Sequence, residues 1–128
     1  MPVIDARKIE GVKVKAPYER IIKVLLAPDT QDDVKEISIT MGIIYPHSHN
    51  DLHKHEGTEI LYIVTGWGRA VMGDRTVEIG PDSVIVATPG LMHQQINESD
   101  ETMKMYAVWT PAVSGKEVLD RALEAAGQ

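Results

Sequence analysis

Residues 46–59 read PHSHNDLHKHEGTE, and the meaning of the whole chain turns on them. The protein has five histidines in 128 residues, and four of them, His47, His49, His53 and His55, fall inside this stretch. In an extended strand, side chains two residues apart share a face. His53, His55 and Glu59 therefore point to one side, and two imidazoles and a carboxylate converge. That donor set suits a divalent first-row metal and leaves coordination positions open for chemistry. His93 lies far off in sequence, just after a Pro-Gly turn, and a ligand from such a neighbouring strand would close the set.

Around this stretch the chain reads as short apolar runs separated by turn residues. Strands are expected at 20–26 (RIIKVLL), 34–45, 59–64 (EILYIV), 67–72, 76–79, 83–88, 93–96 and 103–110. Gly and Pro punctuate them, as at Thr65-Gly66, Gly73-Asp74, Gly80-Pro81 and Pro89-Gly90. In 34–45, Ile37, Ile39, Met41 and Ile43 share one face and Glu36, Ser38, Thr40 and Gly42 the other. Only 115–126 reads as a helix, with Ser114 as N-cap and an apolar stripe of Val118, Leu119, Ala122 and Leu123. So many short strands at close spacing mean an all-β sandwich or barrel, and periodicity alone does not choose between them.

Composition sets further bounds. The length fits one domain. The formal net charge is −6 and the basic residues are scattered, which argues against nucleic acid and anionic lipid as partners. No apolar run approaches the roughly 18 residues of a membrane span, and the first residues lack a secretory signal's apolar core, so a cytoplasmic location is expected. With no Cys, any metal must be held by nitrogen and oxygen. With no Phe, the core must be built from aliphatics, Met and a few Tyr and Trp.

At the histidines the chain resembles the cupin superfamily. His53-Lys54-His55, three residues, Glu59, six residues and Gly66 match the second half of that family's first motif. Gly90, two residues, His93, three residues and Asn97 match the end of its second. The departures are His47 at the first motif's leading Gly position, and Asp82 and Thr88 at the second's leading Gly and Pro positions. The resemblance implies an all-β cupin jelly-roll barrel with one short C-terminal helix. It implies His53, His55, Glu59 and His93 as ligands of one divalent transition metal, Fe, Mn, Zn or Ni. His47-Ser48-His49 is the alternative metal pair. From His49, however, the next carboxylates at Asp51, Glu56 and Glu59 are two, seven and ten residues on, where the motif has three or four between.

His47 and His49 stay open as solvated loop residues, contacts to a substrate, or the catalytic acid and base. Either Gln94 or Gln95 is a candidate to face a cavity, and the methionines are core filler that could also line a pocket. Expected function is a metal-dependent enzyme acting on a small molecule, with dioxygenase, lyase, isomerase or cyclase chemistry. The alternative is a non-catalytic metal-containing binding barrel, because a fold does not settle a function. The expected layout is one domain: an N-terminal arm and edge strand over 1–19, the barrel over 20–112, and the helix over 113–128. Residues 9–15 should pair as an edge strand, within the chain or with a second copy in a homodimer.

Overall fold

The computed structural model describes residues 3–128, so the first two residues of the expected arm lie outside the described ones. After a 3-10 turn at Ala6–Lys8 come nine strands: β1 (Val12–Val14), β2 (Arg20–Leu26), β3 (Ser38–Ile44), β4 (Thr58–Ile63), β5 (Gly68–Met72), β6 (Arg75–Ile79), β7 (Val84–Ala87), β8 (His93–Asn97) and β9 (Met103–Thr110). One helix, α1 (Gly115–Ala125), closes the order. Six strands form one antiparallel sheet in the order β1-β2-β3-β9-β4-β7, and three form a second in the order β6-β5-β8. The two sheets and the short C-terminal helix make the expected jelly roll.

The expected edge strand at 9–15 is real but shorter. Val12–Val14 pairs antiparallel with β2 of the same chain, and Val14 is fully buried. The strand expected from residue 34 begins only at Ser38. The Gln31 side chain takes the backbone of the preceding residues: its Oε1 accepts from Asp33 N and Val34 N, and its Nε2 donates to Val34 O. Backbone groups captured this way are not available to a ladder.

Between the sheets lies an aliphatic and methionine core that includes Ile44, Ile63 and Met103, all at 0–1% exposure. Each such side chain contributes about 1.5–3 kcal/mol by leaving water. The inward face of β3 is its more polar one: Thr40, Gly42 and Ile44 line the barrel interior, and Ile39, Met41 and Ile43 point the other way. Ser114 caps α1 as expected, its Oγ accepting from Glu117 N at 3.1 Å. Asp29, from the loop after β2, accepts from Gly115 N at 2.7 Å and Lys116 N at 3.2 Å, so the exposed donors of the first turn are all satisfied. No helix among the described residues is long and apolar enough to cross a membrane.

Candidate metal centre

Glu59 projects inward from β4, where alternation places Glu59, Leu61 and Ile63 on the buried face. His93 opens β8. The histidine segment runs between β3 and β4, and two isolated bridges, His49 with Ile96 and His53 with His93, lay it against β8. Gly90 N donates to His55 O at 2.8 Å and holds the far end of the segment. These backbone contacts bring together four side chains separated by up to forty positions in sequence.

One ligand atom from each of His53, His55, Glu59 and His93 lies within 4.8 Å of the others. The imidazoles form a tight group, with ring centroids 4.3 Å apart for His53 and His93, 4.6 Å for His53 and His55, and 5.2 Å for His55 and His93. His53 Nδ1 lies 2.7 Å from Asp51 O, and His93 Nδ1 lies 3.0 Å from Leu91 O. A carbonyl oxygen only accepts, so each Nδ1 carries its proton, and a neutral ring then presents the Nε2 lone pair inward.

The donor set fits a metal ion on two observations. First, Glu59 Oε1 stands 2.9 Å from His93 Nε2 and 3.2 Å from His55 Nε2. Ligands about 2.1 Å from a common ion and at right angles to each other are about 3.0 Å apart. Second, His55 Nε2 is buried and its contact with Glu59 lacks hydrogen-bond alignment, so the nitrogen has no hydrogen-bond partner among the described residues. Without a cation the His93 imidazole pairs with Glu59 through Nε2, and an ion shared by the two would take the place of that proton. One contact runs the other way. Arg121 Nη1, from α1, donates to His55 Nδ1 at 3.4 Å and must give way when His55 carries its proton there.

Electrostatics inside the group are strongly coupled. Burial opposes the charge of Glu59, but the His55 and His93 imidazoles outweigh it and hold the carboxyl at about 2. Burial also opposes a charge on His93, and Glu59 outweighs it and raises the imidazole above its ordinary value. At His53 burial outweighs the opposing pull of the Asp51 carbonyl and carboxylate and holds the imidazole below the ordinary range.

The centre opens into a cavity of about 130 Å³. Its apolar wall includes Ile22, Ile44, Leu61, Met105 and Trp109, and α1 contributes Val118, Arg121 and Ala122. Trp109 packs edge-on against His55 at 4.5 Å and donates from Nε1 to Thr40 Oγ1 at 3.0 Å. Of the two glutamines, Gln95 faces the cavity, and Gln94 donates to Asn50 O at 2.8 Å.

His47 and His49 are not among the cavity-lining residues. Asn50 turns inward, so alternation turns His49 outward, where it meets Tyr18 edge-on at 5.6 Å. His47 adopts a left-handed backbone (φ 58°) and reaches the exposed Asp100 at 2.7 Å. Their placement gives no support to the acid–base role expected of them. Spacing missed Arg20, Asn50 and Asp51, which supply polar groups to the cavity wall. Arg20 reads as the first residue of an apolar strand, and nothing in its neighbours marks it as inward.

Comparison with known proteins follows the same lines. The sequence profile described as Cupin domain matches residues 41–109. Ectoine synthase from P. lautus is 20% identical with a TM-score of 0.77, over 94% of this chain and 86% of that one. A predicted oxalate decarboxylase from Thermotoga maritima is 24% identical with a TM-score of 0.74, over 85% and 98%. The polyketide cyclase RemF from Streptomyces resistomycificus is 18% identical with a TM-score of 0.73, over 98% of both chains. At these identities the likeness is one of fold. An uncharacterized HTH-type transcriptional regulator of Bacillus subtilis is 33% identical over 69 residues, which are 54% of this chain and 22% of that protein. The chain thus spans about a fifth of that curated relative.

Proposed function

The chain belongs to the cupin family, and from that footing we propose that it is a metal-dependent enzyme acting on a small organic molecule held in the barrel. The observation that carries this reading is the buried, partnerless His55 Nε2, set among His53, Glu59 and His93 at the floor of a mainly apolar cavity. The four side chains would hold one divalent transition ion. Bound there, such an ion supplies Lewis acidity and open positions for a substrate oxygen. The protein's own residues orient the ligands through the Asp51 and Leu91 carbonyls and exclude water with the aliphatic wall and Trp109. Asp51, in the cavity wall and paired with Arg20, is the candidate to move a proton, in place of His47 and His49.

The proposal extends to a homodimer. Among the described residues, strands β1 and β7 are the two unpaired edges of the six-stranded sheet. Beside β7, Tyr62, Val84 and Val86 are 42%, 57% and 51% exposed. Light scattering that returned the 14.1 kDa chain mass would remove that part of the reading.

Elemental analysis by mass spectrometry tests the centre, on untagged protein beside a His53→Ala/His55→Ala variant. About one equivalent of transition metal, lost in the variant, is expected. Iron would direct the search to oxygen uptake, and zinc, nickel or manganese to lyase, isomerase and cyclase substrates. A native protein that takes up no metal even on reconstitution would falsify the enzyme reading. What stands then is a metal-free binding barrel.

A further inference from the structure

Two buried donors in the cavity wall are not accounted for by a metal centre. Arg20 is 7% exposed and lines the cavity. Its Nη1 donates to Tyr18 O at 3.2 Å, and its Nη2 meets Asp51 Oδ1 at 3.3 Å, long for a charged pair whose usual distance is about 2.7–2.9 Å. A guanidinium carries five N–H donors in a planar fork, so these two bonds leave donors to spare. Gln95 is 1% exposed, and its Nε2 is buried without a hydrogen-bond partner among the described residues.

The orientation of the Gln95 amide follows from the main chain. Asn50 Oδ1 accepts from the backbone N–H of Gln95 at 2.8 Å, which fixes Asn50 Nδ2 as a donor. That Nδ2 meets Gln95 Oε1 at 2.9 Å, so the Gln95 amide must accept there, and its NH2 is the free end. Asn50 and Asp51 are adjacent, and through them Gln95 and Arg20 belong to one connected polar patch. A buried donor left unpaired costs free energy, as does a buried cation with one long ion pair.

The charge balance points the same way. The protein carries a net charge of −6, yet Arg20, Lys54 and Arg121 line the cavity against only Asp51 and Glu59. Arg121 pairs with Glu117 and Lys54 is exposed, so with Glu59 turned to the candidate metal centre the buried wall keeps one cation, Arg20, against its long pair with Asp51. Burial lowers the Arg20 pKa more than Asp51 restores it, so this guanidinium is short of negative charge. The volume of about 130 Å³ is close to that of cavities that hold one benzene ring, about 150 Å³.

We propose that the cavity takes a small monocarboxylate with an apolar body, its carboxylate held by Arg20 and the free amide donors of Gln95. This rests on the reading of the cavity as the ligand site, and it assigns to Arg20 and Gln95 the choice of an acid over its neutral analogue.

Isothermal titration calorimetry on metal-analysed protein tests it, with benzoate and 3-methylbutanoate as probes against benzamide and 3-methylbutanamide. At least one carboxylate should bind about tenfold or more tighter than its amide. Arg20→Met alone would strand Asp51, so the variant used is Arg20→Met/Asp51→Asn. It should weaken the carboxylate about tenfold to hundredfold and leave the amide unmoved. Gln95→Glu keeps the Arg20 pair intact and sets a like charge in the wall, and it should abolish carboxylate binding. Equal affinity for acid and amide, no binding of either acid, or acid binding indifferent to both variants would overturn the proposal. The His53→Ala/His55→Ala variant separates the two readings. Arg20-dependent acid binding in a protein that never holds metal keeps this inference and removes the metalloenzyme. A metal-replete protein whose acid binding follows the metal and ignores Arg20 does the reverse.

Discussion

His53 and His93 exchange both of their backbone hydrogen bonds, His53 N to His93 O at 3.0 Å and His93 N to His53 O at 2.8 Å. The two motif segments are therefore joined by main chain, beneath the imidazoles that face each other. Holding the backbone and holding a ligand are separate tasks here.

It follows that His53→Ala should keep the fold and lose the capacity to hold the proposed metal. Far-UV circular dichroism should be unchanged. Affinity for zinc in a chelator competition should fall by more than about a hundredfold, beyond what loss of an outer partner of a ligand causes. A variant that unfolds, or one that keeps its zinc, contradicts this separation.

Arg121 should act against metal binding. Its guanidinium lies 3.4 Å from His55 Nδ1 and pairs with Glu117 at 2.6 Å at the exposed edge of α1. Arg121→Gln removes a cation near the ion, and solvent screens that cation. The expected gain in zinc affinity is about two- to fivefold, shrinking as salt is raised. A loss of affinity would mean that Arg121 orients His55.

Asn97 should be worth more to stability than its polar side chain suggests. It is 1% exposed, and the two N–H groups of its Nδ2 serve Glu101 O and, shared, the neighbouring Ile44 and Tyr45 carbonyls, tying the end of β8 to the end of β3. Its Oδ1 accepts from Ser99 N at 3.0 Å and Ser99 Oγ at 2.6 Å. Asn97→Ala strands these buried groups and should cost about 3 kcal/mol in urea unfolding. A cost below about 1 kcal/mol would show that water replaces the amide.

Two glycines should behave in opposite ways to what their backbones suggest. Gly90 has φ +78°, and a Cβ there meets nothing within 4 Å. A Cβ on Gly68 would stand 1.9 Å from Ile96 O, in the ladder between β5 and β8. Gly90→Ala should cost about 1 kcal/mol of backbone strain. Gly68→Ala should cost about 3 kcal/mol or more, because main chain must move. Thermal melts of the two variants side by side decide it.

The attachment of α1 should loosen in acid. The backbone N–H of Gly115 and that of Lys116 hold the Asp29 carboxyl below its usual value of 3.8. A depressed folded-state pKa gives stability that is present above the unfolded value and lost as pH falls through the folded one. Loosening of the helix should therefore begin below about pH 4 and be complete only at still lower pH. Asp29→Ala should show the loosened helix already at neutral pH, at a cost of about 1 kcal/mol, read by hydrogen exchange at 115–118. Exchange that did not change with pH in the native protein would leave Ser114 as the sole anchor.

Much of this architecture was legible beforehand. Strand β9 falls at Met103–Thr110 as its alternation required, and the His53, His55, Glu59 and His93 side chains do converge. Legibility ended where alternation says which residues share a face but not which face turns inward. In β3 the more aliphatic face turns away from the cavity, and Thr40, which accepts from Trp109 Nε1, lines it with Gly42 and Ile44. Arg20 was hidden for a related reason. An apolar run with one leading cation reads as a strand beginning at the surface, yet its side chain is enclosed by a partner 31 positions away. His47 and His49 were drawn toward the centre by residue type, but a left-handed turn and one step of alternation send them elsewhere.

The oxygens that orient His53 and His93 belong to the main chain of Asp51 and Leu91. Substituting those side chains leaves both carbonyls in place, so the genetic signature of this centre should be sharply discontinuous. A saturation scan should find intolerance at the four ligands and near-silence at Leu91, whose contribution no codon change can delete. Comparison of natural variants would then understate how much of the proposed centre's geometry is inherited, because its scaffold is written in peptide units common to every residue.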